Sequence, residues 1–381
     1  MNIQRHPLRA TAPGTRREVT SLHFGVRGSG PKAVLQASLH ADEIPPMLVA
    51  QHLRRALEEL EGAGRIRGEI VLVPSANPIG LGQRVLEQPV GRFDLASGEN
   101  FNRHYPDLLE RVAARLDQPP MLDTRGNIAA IRALMRDECA ALPVLTQLQS
   151  LRQILLSLAV DADTVLDLHS DNEAILHLYT TPTLWPAVEP LARALRCPLA
   201  LLADGSGDDP FDEACSLIWP RLAARLAQRS GKDPDPILSM ACVAATVELR
   251  GESDVSHELA RTDAGALVRY LTLRGHVAAV ADVVDPPFTP MALARPLSGS
   301  IPVAAPIGGV LVYLRELGSH VAAGEPFAEV VDPITGETVA VASPVDGLFF
   351  ARDARRFVAA GARIAKISGV EATRSGKLMS A

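Results

Sequence analysis

Three short stretches carry residue types that could do chemistry together. Leu35-Gln-Ala-Ser-Leu-His40-Ala-Asp-Glu43 sets a histidine and a glutamate three positions apart behind an apolar run. Leu166-Asp-Leu-His169-Ser-Asp-Asn ends a second apolar run in a histidine, and Ala245-Thr-Val-Glu248-Leu-Arg250 brings a further carboxylate. Two imidazoles and one carboxylate can hold a tetrahedral zinc ion and leave its fourth position open to water. The expected ligands are therefore His40, Glu43 and His169, one Zn2+ per chain, with Glu248 placed to take the water's proton. A lone histidine–glutamate pair is as readily a surface pair on a helix, and His169 as readily a buried packing residue. Their shared setting separates them from that reading. Each follows an apolar run of strand length, and open α/β sheets gather their active sites at the carboxyl ends of strands.

The elements that must position these residues follow from periodicity. Residues 33–39, 69–74, 165–168, 174–180 and 244–249 read as strands, short and apolar. Residues 47–60 show helical spacing, with Met47, Leu53, Leu57 and Leu60 on one face. Further helical stretches cover residues 108–116, 128–142, 145–158, 185–195 and 214–227. Strands alternating with helices predict an α/β fold: a mixed central sheet flanked by helices, over residues 1–285, with a helical insertion at about 107–163. Proline-rich residues 286–300 read as a linker. From Ile301 to Gly369, short apolar pieces between glycine turns predict a small all-β barrel or sandwich. Residues 370–381 read as a disordered tail.

Composition narrows the function classes. At 381 residues the chain suits two domains. A net charge of −6 with no block of Lys and Arg argues against a nucleic-acid partner. No stretch approaches the roughly 20 apolar residues of a membrane helix, so no membrane partner is expected. Cys139, Cys197, Cys215 and Cys242 form no CxxC pair. With an N-terminus that lacks a signal-peptide core, they point to a reducing, cytoplasmic setting.

The motifs also resemble those of the succinylglutamate desuccinylase/aspartoacylase family, a branch of the zinc carboxypeptidase superfamily with an M14-like fold. His40-Ala-Asp-Glu43 stands where that family has His-Gly-x-Glu, with Ala41 in place of the glycine. Asn77-Pro78 is similar to its strand-end Asn-Pro. The run from Gly91 and Arg92 through Asn100, Asn102 and Arg103 to Pro106 resembles its Arg-Phe…Gly-x-Asn-x-Asn-Arg-x-Pro signature. Asp167-Leu-His169-Ser and Thr246-Val-Glu248-Leu-Arg250 are similar to its second histidine motif and its catalytic glutamate strand.

The resemblance implies a zinc-dependent amidohydrolase, a deacylase acting on an N-acyl amino acid or related small amide. It implies that Arg92 stabilises the oxyanion and that Asn102 and Arg103 bind a substrate carboxylate. Arginine suits that task because its planar fork meets a carboxylate with two parallel hydrogen bonds. Two further substrate contacts are expected. Acidic residues around Asp171, with Glu173, Asp208, Asp209 and Asp212, either meet a cationic substrate group or are solvated loop residues. Arg250, two residues from Glu248, shares its side of the strand and either touches substrate or makes a structural ion pair. Two other functions stay open: a metallocarboxypeptidase acting on short peptides, and a catalytically inactive binding protein of the same fold. Self-association as a homo-oligomer is left open. The C-terminal part resembles a biotinyl/lipoyl-type module, but with no lysine between Lys232 and Lys366 its hairpin has no attachment point.

Overall fold

The computed structural model describes residues 1–116, 124–231, 233–279 and 292–379. The central sheet has nine strands among the described residues. Its order is Asn2–Pro7, Glu18–Gly25, Glu69–Val73, Lys32–Ala37, Thr164–Asp171, Val243–Gly251, His177–Thr180, Leu199–Leu202, Leu293–Pro296. The pairings around Lys32–Ala37, Thr164–Asp171 and Val243–Gly251 are parallel, and antiparallel ladders flank them at Glu18–Gly25 and His177–Thr180. The mixed α/β architecture expected from the alternation of strands and helices is what the chain adopts.

Alternation along the central strands divides the core into two layers. Val34, Val71 and Val165 face one layer, covered by the helices Leu109–Arg115, Thr124–Ala140, Gln147–Ala159 and Ile218–Ser230. Leu35, Leu72 and Leu166 face the other, covered by Pro45–Gly62, Trp185–Leu195 and His257–Leu273. Helix Gln147–Ala159 starts with a capping box between Thr146 and Gln149, which satisfies two otherwise orphan amides. The helical stretch read as an insertion is thus one wall of the core. Its residues 117–123 lie outside the described residues.

Three sequence readings shift. The single helix expected over 214–227 divides into Phe211–Ser216 and Ile218–Ser230. The strand expected over 174–180 divides into Glu173–Ala174 and His177–Thr180. Of the expected linker, residues 286–291 lie outside the described residues, whereas Leu293–Pro296 pairs in parallel with Leu199–Leu202 as an edge strand of the large sheet. Prolines are tolerated there because an edge strand leaves one side's donors unused.

The C-terminal part is two small sheets around Phe327, Phe349, Val330 and Ile367. It is joined to the large unit by a ladder: Ala174 pairs with Ala351 and Glu173 with Arg352. Around it, Glu173 bonds Arg352 at 2.6 Å and Arg356 at 2.8 Å, and Lys366 pairs with Asp171. No helix among the described residues is long and apolar enough to cross a membrane.

Candidate metal centre

Three adjacent parallel strands deliver the chemistry to one end of the sheet. His40 follows Lys32–Ala37 in a tight loop, where Ser38 takes a left-handed conformation and its Oγ donates to the Glu43 carbonyl at 2.5 Å. Asn77 pins the same loop: its Nδ2 donates to the Leu39 carbonyl at 2.9 Å, and its Oδ1 accepts from the Ile79 and Gly80 amides. His169 and Glu248 sit directly opposite each other on Thr164–Asp171 and Val243–Gly251. Arg92 is brought in by Gly91, whose carbonyl accepts the Ala41 amide at 3.0 Å. A Cβ on Gly91 would stand 2.3 Å from the Asp42 nitrogen, so only glycine allows that approach.

His40, Glu43 and His169 converge. One nitrogen or oxygen from each lies within 4.8 Å of the others, and all three residues are at most 3% exposed. The Glu43 carboxylate lies between the two rings: Oε1 is 2.8 Å from His40 Nδ1 and Oε2 is 2.7 Å from His169 Nδ1. Each ring's other nitrogen has its own acceptor. His40 Nε2 meets Asn100 Oδ1 at 2.8 Å, and His169 Nε2 meets Asp167 Oδ2 at 2.9 Å. With a metal bound, these acceptors would take the Nε2 protons and leave both Nδ1 lone pairs for the common centre, which is how metal-binding imidazoles are held. The Ser170 amide steadies Glu43 from behind at 3.1 Å. The donor set, two nitrogens and one carboxylate with oriented second nitrogens, fits a divalent zinc-like cation.

Without a metal, the buried charges of the site pair with one another. Burial works against both charged forms in the Glu43–His169 pair, yet the pair is held ionised. His40 and His169 keep the Glu43 carboxyl well below its usual range. Burial pushes His169 down, but Asp167 and Glu43 overcome it and hold the ring protonated well above its ordinary value. Arg92 Nη1 lies 3.2 Å from both His40 Nδ1 and Glu43 Oε1. Glu248 behaves in the opposite way: burial first, then the Glu43 charge, raise its carboxyl to about 8. Its Oε2 is buried without a hydrogen-bond partner.

A cavity opens beside these groups, lined by Arg92, Asn102, Arg103, Tyr179, Asp212 and Glu248 among others. It holds about 610 Å³ of empty space, part of it open to solvent. Arg103 is buried and its Nη1 donates to the Asn102 carbonyl at 2.6 Å. The Asn102 side chain is tied on both sides: Oδ1 accepts from the Phe211 amide at 2.9 Å, and Nδ2 lies 3.3 Å from His169 Nε2.

Two expected substrate contacts are not in this cavity. Asp171 is paired with Lys366 of the C-terminal part. Arg250 makes a two-pronged pair with Asp263 at 2.9 and 2.8 Å, from a left-handed backbone that turns it off the Glu248 side. The acids offered for a cationic substrate are largely answered by the chain's own cations, since Glu173 meets Arg352 and Arg356, and Asp208 meets Lys377. Only Asp212 of that group lines the cavity, its carboxyl raised to about 7 by burial and by the neighbouring Glu213 and Asp167.

Other site residues escaped sequence reading. The sequence leaves Asp167 open between orienting His169 and holding the strand-end turn; residues two apart share a strand face, and Asp167 Oδ2 meets His169 Nε2 at 2.9 Å. Asn100 sits inside the quoted motif and orients His40. Tyr179, Thr180 and Met379 line the cavity with no local signal at all.

A mixed α/β sheet carrying this cluster at the ends of its parallel strands has the architecture of the zinc-carboxypeptidase-like fold. Residues 29–125 match the profile of the Succinylglutamate desuccinylase/Aspartoacylase catalytic domain, and the resemblance carried by the motifs is borne out. That family is one of hydrolytic deacylases. Solved structures agree along nearly the whole chain. A protein assigned to the succinylglutamate desuccinylase/aspartoacylase family from Shewanella amazonensis SB2B is 28% identical, with TM-score 0.83, covering 97% of this chain and 98% of its own. A similarly assigned protein from Shewanella frigidimarina NCIMB 400 is 25% identical, with TM-score 0.85 and 97% of both chains covered. The product-bound ectoine utilization protein EutE (DoeB) from Ruegeria pomeroyi shares the fold at 16% identity and TM-score 0.64, covering 96% of this chain and 93% of its own. No curated protein matches the chain.

Proposed function

We propose that this chain is a zinc-dependent amidohydrolase that removes an acyl group from an N-acyl amino acid or similar small amide. The observation that carries the reading is the Glu43 carboxylate between two Nδ1 atoms, beside a buried Glu248 whose Oε2 has no partner. His40, Glu43 and His169 would hold the ion. When bound, zinc supplies a Lewis acid that brings the pKa of water to about 7 and polarises a carbonyl.

The remaining steps belong to side chains. Glu248 accepts the proton of the attacking water and returns it to the leaving amine, acting as base and then acid. Its raised affinity for a proton suits the second task, and a nearby cation would lower it toward the first. Arg92, about one-third exposed at the cavity rim, donates to the oxygen that gains charge; losing one such donor costs about 2.7–4 kcal/mol of transition-state stabilisation. Arg103 meets the substrate carboxylate, and Asn102 fixes the backbone that carries it.

The test combines metal analysis with a substrate panel. We expect one zinc per chain, turnover of N-acyl amino acids in preference to short peptides, and roughly a thousandfold or greater loss in Glu248→Gln. Full activity of that variant would remove Glu248 as the base. Preference for peptides would favour the carboxypeptidase reading.

A further inference from the structure

Of the segment read from sequence as a disordered tail, residues 374–379 are docked beside the cavity, and residues 380–381 lie outside the described residues. Arg374 Nη1 donates to the Ser300 carbonyl at 2.6 Å, and its Nη2 donates to the Leu378 carbonyl at 2.8 Å. Lys377 Nζ meets Asp208 Oδ1 at 2.7 Å, and the Leu378 amide donates to the Ser206 carbonyl at 2.9 Å. Gly207 makes room for this. Its φ is +96°, and a Cβ there would lie 3.3 Å from the Lys377 Cα. Beyond that clamp, Leu378 and Met379 pack on the apolar cluster of Tyr179, Leu201 and Leu297. Met379 lines the same cavity as Glu248 and Arg103.

The loop being clamped is itself strained and connected. Asp208 and Asp209 both adopt left-handed backbone, at φ +62° and +46°. Their carbonyls accept the amides of His104 and Tyr105 at 2.7 and 3.0 Å, just after Arg103 in the chain. Strained loop residues persist only where surrounding contacts hold them, and residues 374–379 supply several.

We propose that residues 374–379 form a wall of the substrate cavity, and that Met379, with Leu201 and Leu297, sets the length of the apolar acyl chain accepted. The clamp also steadies the 206–209 loop and, through it, the backbone following Arg103. The acyl part of this inference rests on the amidohydrolase reading; the docking part does not.

The experiment uses the zinc-loaded full-length protein, the Met379→Ala variant and a chain ending at Thr373. Acetyl, butyryl and hexanoyl derivatives of one amino acid are compared by kcat/KM, and amide hydrogen exchange is followed in the same proteins. Met379→Ala should raise the hexanoyl-to-acetyl ratio by roughly tenfold or more, as expected when a pocket gains room for added methylenes. Ending the chain at Thr373 should speed exchange at His104 and Tyr105 by about tenfold or more. If the short chain does not fold, Lys377→Ala takes its place with a smaller acceleration in the same direction. An unchanged chain-length profile in Met379→Ala overturns the specificity claim, and unchanged exchange overturns the docking. If the wild type turns over no N-acyl amino acid, the proposed function fails, while the exchange result still decides whether the wall exists.

Discussion

Replacing Glu248 with glutamine should change how the metal-free protein's stability depends on pH. The carboxyl is fully buried, its Oε2 has no partner, and burial with the Glu43 charge raises its pKa from 4.5 to about 8. The sign follows from proton counting. Below pH 4.5 both folded and unfolded chains hold the proton. Between pH 4.5 and 8 the unfolded chain releases it and the folded chain keeps it, so this group's contribution to stability falls as pH rises. The interval from 4.5 to about 8, at about 1.4 kcal/mol per pH unit, sets an upper bound of roughly 5 kcal/mol. Coupling to Glu43 and entry of water reduce it to a few kcal/mol. Glutamine keeps the shape and carries no charge, so Glu248→Gln should lose this slope. Urea unfolding of chelator-treated wild type and variant at pH 5 and pH 9 measures the effect. The variant's advantage should be small at pH 5 and reach a few kcal/mol at pH 9. Bound zinc, by stabilising the carboxylate, should shrink the gap. An advantage independent of pH would refute the buried-carboxylate reasoning.

Other expectations follow from pairs described above. Asp167→Asn removes the carboxylate on His169 Nε2 and should weaken zinc affinity by about 10- to 100-fold in competition with a chelator. Asp263→Ala strands Arg250 and should cost roughly 1–3 kcal/mol in urea unfolding while leaving zinc content unchanged. Lys366→Met leaves Asp171 buried without its cation. Because the Lys366 side chain is 37% exposed, solvent screening limits the cost to about 1 kcal/mol, and acyl-substrate KM should hardly move.

The candidate ligand cluster was legible because metal coordination would impose residue types and spacing that survive in a bare sequence. His40 and Glu43 need only one loop, and His169 and Glu248 need only the ends of two strands. What surrounds them was less legible. Asp171 and Glu173 read as acids awaiting a substrate because their partners, Lys366, Arg352 and Arg356, lie almost two hundred residues away. Arg250 looked aligned with Glu248 by strict alternation, but the register shift between Glu248 and Gly251 breaks that rule. The strand Leu293–Pro296 carries two of the signs of a linker, a proline and charge, and becomes a strand only because Leu199–Leu202 offers an edge. The tail at 374–379 is polar and glycine-containing, so its place at the cavity depends on tertiary contacts that local pattern does not encode.

The two-residue ladder between Ala174 and Ala351 has a mechanical consequence. A small domain attached only by a linker is free to swing on that tether. Here the module is stitched through main-chain hydrogen bonds to residues only a few positions past His169, and Phe350 lies beneath the seam in shared apolar packing. Moving it would mean unzipping that seam and tugging on the strand that bears His169. The C-terminal part is therefore a buttress, and it should unfold together with the sheet it braces.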